Sequence, residues 1–344
     1  MIIYRMNLLI LSVTLAFVNC LAAQPAKVGN IAPTAGERIP SLDMSNGTLQ
    51  LTLKDNANSP QTLSGLQSLV HVQAAPGFSA FDPDGRGSAA GLNFEHIISG
   101  HANPNNKFAP RLGPYHLYRL SETSAVLVRR REDCPWDISS TLKYTLTEPH
   151  AIDFEFRCTP YDPVRFGSRG YAIFFFANYM NDVIDPALHF RGVEAAGGEE
   201  KWIAGDAPQQ HPDWNKGGTY RASNSAPTDY DADSNFRLNS WSYDYPRFTR
   251  PFYYGRAARD MVLMLMFDRS HSEVDEVRFS LFKFKLPAKP RPAWDFQYVI
   301  HRVEAGREYG FRGRLVWKKW VSEPDCLQEY ERFAEATRLP LAPP

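Results

Sequence analysis

Alternation of apolar and polar residues at period two constrains this chain more than any other feature. TLQLTLK, near residue 50, alternates cleanly. SAVLVRR, SSTLKYTL and AIDFEFRC follow one another through the turn-like segments REDCPWDI and TEPH. That order predicts an antiparallel meander. YAIFFFANYM and MVLMLMF are unbroken apolar runs of strand length, as in strands buried on both faces. In WDFQYVIHRV, Trp294, Phe296, Tyr298 and Ile300 share one side. VRFSLFKFKL changes parity: Val277, Phe279 and Leu281 share one side, and Phe282, Phe284 and Leu286 the other. The change predicts a bulge or bend at 281/282.

Many short strands bury their apolar faces by stacking sheets. The expected fold is therefore all-β, a large two-sheet antiparallel sandwich of supersandwich type with a short C-terminal helix. SEPDCLQEYERFAEATR supplies that helix. Ser322, Pro324 and Asp325 form its capping signature, and Leu327, Tyr330, Phe333 and Ala334 its apolar stripe.

The chain divides into four expected parts. Residues 1–23 read as a signal peptide, with Arg5 before the apolar LLILSVTLAFV and small residues before Ala23. The apolar run is about 11 residues, short for a membrane span. Phe17, Val18 and Asn19 fit a lipobox poorly, which disfavours lipidation of Cys20. Residues 24–44, rich in Pro, Gly and Ala, read as a flexible lead-in. Residues 45–322 form the sandwich domain, and 323–344 the helix and tail. An exported chain, periplasmic or secreted, follows, with no membrane span and an open oligomeric state. Export permits disulfides. A Cys134–Cys158 bridge is one reading, because both cysteines fall at one end of the meander. Three free thiols, with Cys326 in the helix, is the other.

The 344 residues carry 38 basic and 38 acidic side chains. That balance argues against nucleic acid as a partner, where a basic footprint is expected. No G-x-S-x-G, phosphate-cradling glycine loop or H-E-x-x-H is present, so serine-hydrolase, nucleotide and zincin readings lack support.

Three stretches combine polar groups with strands. GLNFEHIISGH, residues 91–101, places Asn93 and Glu95 on one face of a strand, and His101 in the loop beyond. A glutamate beside an asparagine is a candidate acid or base held by a hydrogen bond; the plain alternative is a solvated strand face, with His96 a core or edge histidine. FFFANYMNDVIDPALHFRG, residues 174–192, runs from a buried strand into Asn178, Asn181, Asp182, His189 and Arg191, groups suited to sugar hydroxyls. Residues 214–256 interleave Trp241, Tyr243, Tyr245 and Tyr254 with Arg247 and Arg256. Aromatic faces bury pyranose rings and arginines hold hydroxyls or carboxylates; packing beneath a long loop is the alternative. Asp229, Asp231, Asp233 and Asn235 alternate as in a calcium loop, but the glycine and the twelfth-position glutamate of an EF-hand are missing. No cofactor is expected, with Ca²⁺ the one ion considered. RRRE, residues 129–132, reads as a strand end and a solvated turn.

GLNFEHIISGH, the meander STLKYTLTEPHAIDFEFRC and FFFANYMND together resemble the galactose mutarotase-like group over residues 45–322. The resemblance implies a two-sheet β-supersandwich that binds carbohydrate on a concave face. Mutarotases use a histidine pair and a glutamate. Their Asn-His-x-Tyr-Phe segment is absent, and NYMND, which lies in the comparable place, has no histidine, so no catalytic residue carries over.

The expected function is an exported carbohydrate-active enzyme that processes a poly- or oligosaccharide by acid/base chemistry. A glycoside hydrolase would use two carboxylates, for which Glu95 and Asp182 are the pair. A polysaccharide lyase would use a Tyr or His base with Arg or Asn opposite the substrate carboxylate, for which His101, Tyr243 and Arg247 have the right types. The alternatives are a non-catalytic glycan-binding protein, a sugar epimerase and a structural envelope protein.

Overall fold

The computed structural model describes residues 36–58, 63–83, 90–100, 109–206, 216–231, 239–240, 245–284 and 291–337. Two large sheets face each other across an aromatic core. The larger has eleven strands. Its main path runs through Glu37–Ile39 (β1), His116–Arg119 (β6), Ser124–Arg129 (β7), Ile138–Thr147 (β8) and Ala151–Pro160 (β9). It continues through Tyr309–Lys319 (β20), Met261–Phe267 (β17), Phe252–Ala257 (β16), Leu188–Val193 (β11) and Lys201–Gly205 (β12). Arg247–Phe248 (β15) pairs with β11 beside that path. The expected meander is β7–β8–β9, antiparallel throughout.

The second sheet has six strands. Its order is Asn239–Ser240 (β14), Lys216–Tyr220 (β13), Asp275–Phe284 (β18), Arg291–Ile300 (β19), Ala172–Ala177 (β10) and Asn93–Ile98 (β5). All its pairings are antiparallel except the short one between β13 and β14. A three-stranded sheet completes the fold: Ser41–Ser45 (β2), Leu49–Lys54 (β3) and Gly65–His71 (β4). The strands β1 and β2 stand in the stretch read from sequence as a loose lead-in.

Alternation decides what each sheet turns inward. Phe174, Phe176, Phe279, Phe296 and Tyr298 of the six-stranded sheet meet Phe154, Phe156, Phe267 and Phe311 of the large one in a single core. Phe176 stacks on Phe296 at 4.8 Å, and Phe94 lies 5.2 Å from Phe156. Rings at these separations add to their area burial. The unbroken apolar runs are interior strands: β10 lies between β19 and β5, and β17 between β20 and β16.

The bulge expected at 281/282 does not form. β18 pairs with β19 in one register from Asp275↔Ile300 to Phe284↔Arg291. Phe282 and Phe284 instead pack against each other on the sheet's other face, rings 4.5 Å apart, and Phe284 packs against Tyr179 at 5.6 Å. That local apolar patch accounts for the change of parity.

The C-terminal helix, Glu323–Thr337 (α2), braces the outer face of the large sheet through Cys326, Tyr330 and Phe333. A second, four-residue helix, Ala109–Leu112 (α1), packs beside β5. Cys134, Cys158 and Cys326 are free and buried. Among the described residues no helix is long and apolar enough to cross a membrane.

Candidate acid/base site

A break in register sets Glu95 apart. Phe175 pairs with His96 and Phe176 with Phe94, which leaves Glu95 as the extra residue of a bulge in β5. Bulges re-aim side chains and recur beside functional sites. The Glu95 carboxylate is 6% exposed. Its Oε1 accepts from Arg111 Nη1 at 2.7 Å and from the Tyr179 hydroxyl at 2.5 Å. His96 Nδ1 lies 3.5 Å from Oε2, a charge contact when the ring is protonated. Burial pushes the Glu95 pKa up, but His96, Tyr179 and Arg111 outweigh it and hold the group at about 2.

Asp295 behaves in the opposite way. It lies in the interior strand β19 at 2% exposure. Burial pushes its pKa well above the carboxylate range; the Asn178 N–H opposes that push and the negative charge of Glu95 adds to it. Burial thus favours the protonated form of Asp295, whereas the partners of Glu95 favour its anion. Asp295 Oδ1 accepts from Asn178 N at 2.8 Å.

Asn178 ties these strands together. Its Nδ2 donates to Trp294 O at 2.9 Å and its Oδ1 accepts from Leu92 N at 2.8 Å. Leu92 has φ +43°, a conformation that costs a leucine about 1–2 kcal/mol. Tyr144 Oη donates to Leu92 O at 3.1 Å and helps hold it. Strain is thus fixed one residue before Asn93. At Gly91 an added Cβ would stand 2.3 Å from the ring of Phe81, which is fully buried. Gly91→Ala is expected to lower the denaturation midpoint, at a cost of about 1–3 kcal/mol; equilibrium unfolding checks this, and an unchanged midpoint would show that Phe81 moves freely.

Arg111 is positioned through α1. Arg129 donates to Pro110 O and to Gly113 O, and Asn56 Nδ2 donates to Arg111 O at 3.2 Å. Arg129, the strand end of RRRE, is 1% exposed, and residues 130–132 form the exposed turn beyond it. The Arg129 guanidinium lies over the Tyr115 ring at 4.2 Å.

Of the residues singled out from sequence, Asn93, Glu95 and Asn178 gather here. Asp182 lies in the segment that follows β10, where its carbonyl accepts from Ala258 N in the β16–β17 turn. The carboxyl group that senses Glu95 is Asp295 instead. Asn181 donates to Ser79 O at 3.1 Å. His101, Trp241 and Tyr243 lie outside the described residues, as do Asp233 and Asn235 of the calcium-like stretch. Asp231 is engaged by Arg221 at 3.2 Å and by Thr228. Among the described residues no cluster of His, Cys, Asp and Glu could hold a metal ion.

His189, Arg191, Tyr254 and Arg256 form a second group, on β11 and β16 of the large sheet. His189 stacks on Tyr254 at 4.9 Å, and its Nε2 donates to Asp185 Oδ2 at 2.8 Å. Trp202 and Trp320 flank Tyr254 at 5.5 and 5.1 Å, with Arg191 over Trp202 and Arg256 over Trp320. Tyr245 is buried against Tyr220, and Arg247 is half-buried in β15.

Sequence reasoning missed Asp295 and Arg111. A signal for Asp295 was present: in WDFQYVI it takes the parity opposite Trp294, Phe296 and Tyr298. A carboxyl group there, in an interior strand, is costly enough to need a reason.

No protein-family model matches the chain, and no curated protein matches it. Among solved structures it is similar to a heparan sulfate lyase HepC mutant from Pedobacter heparinus. The TM-score is 0.40 and the identity 8%, over 80% of this chain and 34% of that one. It is also similar to 4-alpha-glucanotransferase from Thermococcus litoralis, with TM-score 0.37 and 10% identity, over 83% of this chain and 40% of that one. The chain spans 34% and 40% of the length of those proteins, and neither is a mutarotase by name.

Proposed function

We propose that the chain is a carbohydrate-active enzyme that cleaves a glycosidic bond by acid/base chemistry on the outer face of the six-stranded sheet. One observation carries this reading: its neighbours hold the Glu95 pKa low, at about 2, while burial and the charge of Glu95 push that of Asp295 up. A pair pushed apart in this way assigns an acid and an anion, the two roles that glycoside cleavage requires. Asp295 Oδ2 gives its proton to the bridging oxygen as the bond to the anomeric carbon breaks. Glu95, already ionised, faces the positive charge that develops on the sugar ring. Water then adds its hydroxyl to the anomeric carbon, and its remaining proton returns to Asp295. Arg111 and Tyr179 fix the Glu95 carboxylate, and α1 fixes Arg111. The signal-like leader supports a substrate outside the cytoplasm, in the periplasm or the medium.

A second reading is glycan binding without turnover. The half-buried Trp202 and Trp320 on either side of Tyr254 favour it, because aromatic faces of this kind take pyranose rings.

Mass spectrometry of products from a broad polysaccharide and oligosaccharide panel separates the readings. Fragments heavier by one water are expected. Unsaturated fragments would mean a lyase, with Tyr179 as the base to test. Retention of a glycan with no fragments and no change of epimer would establish binding alone.

A further inference from the structure

Three arginines meet in one open cleft between the strand ends of the two large sheets. The cleft holds about 330 Å³ and is lined by Arg157 of β9, Arg269 of the β17–β18 connection and Arg307 ahead of β20, with Asp275, Glu308 and Gly310 beside them. That volume lies within the range of about 300–1,000 Å³ seen for small-molecule sites. Such sites are mostly apolar. This one is mostly charged, which selects a polar, charged ligand. Asp275 pairs with Ile300, five residues beyond Asp295 in β19, so the cleft stands about 17 Å from that acid.

Buried groups set each guanidinium. Asp275 accepts from the Tyr298 hydroxyl at 2.6 Å and from Ser272 Oγ at 2.8 Å, and then holds Arg269 Nη1 at 2.7 Å. Arg157 lies against Gly310, its partner in the ladder, where an added Cβ would stand 2.8 Å from Arg157 Cδ. The Arg307 guanidinium lies over the ring of buried Tyr309 at 5.3 Å.

Two of the carboxylates that hold these arginines are exposed. Glu308, 54% exposed, reaches Arg157 Nη1 at 3.4 Å, and exposed Glu304 accepts from Arg307 Nη1 at 2.7 Å. Ion pairs this open to water contribute little, so a ligand can replace them. Among the described residues no hydrogen bond takes Nη2 of Arg157, Arg269 or Arg307. Three arginines against Asp275 and Glu308 leave the lining one positive charge in surplus. Guanidinium forks match the paired oxygens of a carboxylate or a phosphate. One inorganic anion would leave much of the cleft unfilled. A pyranose that carries the anion fills it, and its hydroxyls take the remaining guanidinium nitrogens. We propose that this cleft binds a pyranose bearing one anionic group, a carboxylate or a phosphate, which Arg157, Arg269 and Arg307 hold and for which Glu308 gives way. The site does not rest on the acid/base reading.

Calorimetric titration of the full chain with galacturonate, glucose 6-phosphate, galactose and inorganic phosphate tests this. At least one of the two acidic sugars is expected to bind, and the tighter of them identifies the anion. Galactose is expected not to bind, and inorganic phosphate to bind at least about 10-fold more weakly than the better sugar. Arg157→Gln is expected to weaken that sugar at least about 10-fold, the loss of one charge-assisted hydrogen bond. Glu308→Gln, which removes the competing carboxylate, is expected to tighten it about 2–5-fold. Arg307→Gln alters an exposed side chain, so it decides the matter if Arg157→Gln folds poorly, and it too is expected to weaken binding. No binding of either acidic sugar would overturn the proposal, as would galactose or inorganic phosphate binding as tightly as they do. Wild-type affinity in the arginine variants, or no gain in Glu308→Gln, would overturn it as well. Turnover by the acid/base pair is measured separately and stands or falls on its own.

Discussion

Asp295→Asn is expected to abolish most turnover while leaving the fold at least as stable as the wild type at neutral pH. Asparagine is the near-isostere of a protonated aspartate. Its Oδ1 can keep the bond from Asn178 N, now 2.8 Å, and its Nδ2 takes the place of the acid hydroxyl. What it lacks is a proton to give. Loss of a general acid lowers turnover by about 10²–10⁴-fold, read as initial product formation.

Stability adds a second readout. The folded pKa of Asp295 lies above its ordinary value of 3.8. The contribution of the group is therefore fully present below pH 3.8 and is lost as pH rises through the folded value. Across that window the unfolded chain ionises and the folded chain does not, with a slope of up to about 1.4 kcal/mol per pH unit. Asp295→Asn removes that slope. Its denaturation midpoint should match the wild type near pH 4 and exceed it near pH 8. A variant less stable than the wild type at pH 8 would mean that Asp295 is ionised and paired in the fold, and the acid role would fall.

The strands were legible because alternation is a local signal. TLQLTLK, the β7–β9 meander and the core parity of Trp294, Phe296 and Tyr298 can be read without knowing what they face. The site was only half legible. Asn93, Glu95 and Asn178 stand in two polar-punctuated stretches that draw attention. Their partner Asp295 is 200 residues from Glu95 in the chain, and only the order β5–β10–β19 brings the two strands within one of each other. The bulge at Glu95 was hidden for the same reason. A bulge is a mismatch between two strands, and NFEHII alone does not show what β10 pairs with. The depth at which Arg129, the strand end of RRRE, is buried was equally hidden. Its burial depends on the carbonyls of Pro110 and Gly113, from a segment with no strong helix signal. In the 241–256 region the aromatics that come together, Tyr254 with Trp202 and Trp320, are drawn from three separate stretches.

Glu95 is expected to respond in the reverse manner, because here a charge, not a neutral acid, is built into the fold. Its pKa falls from an ordinary 4.5 to about 2, worth about 3 kcal/mol at neutral pH. A lowered folded pKa gives stability that is present above pH 4.5 and lost as pH falls toward 2. Glu95→Gln keeps an oxygen for Arg111 and Tyr179 but removes the charge, so it should flatten the acid limb of the stability profile between pH 4.5 and 2. Glu95→Ala goes further and leaves Arg111, 19% exposed at its side chain, without this carboxylate, at a cost of about 3–5 kcal/mol. Both variants should lose turnover. Measured by denaturant unfolding against pH, an unchanged acid limb in Glu95→Gln would show that Glu95 is not the anion of the pair. The two isosteric exchanges then separate chemistry from architecture: Asp295→Asn trades neutral for neutral and spares the fold, whereas Glu95→Gln trades charge for neutral and weakens it. A purely structural polar network would leave turnover tied to stability in both. An acid/base pair uncouples them at Asp295.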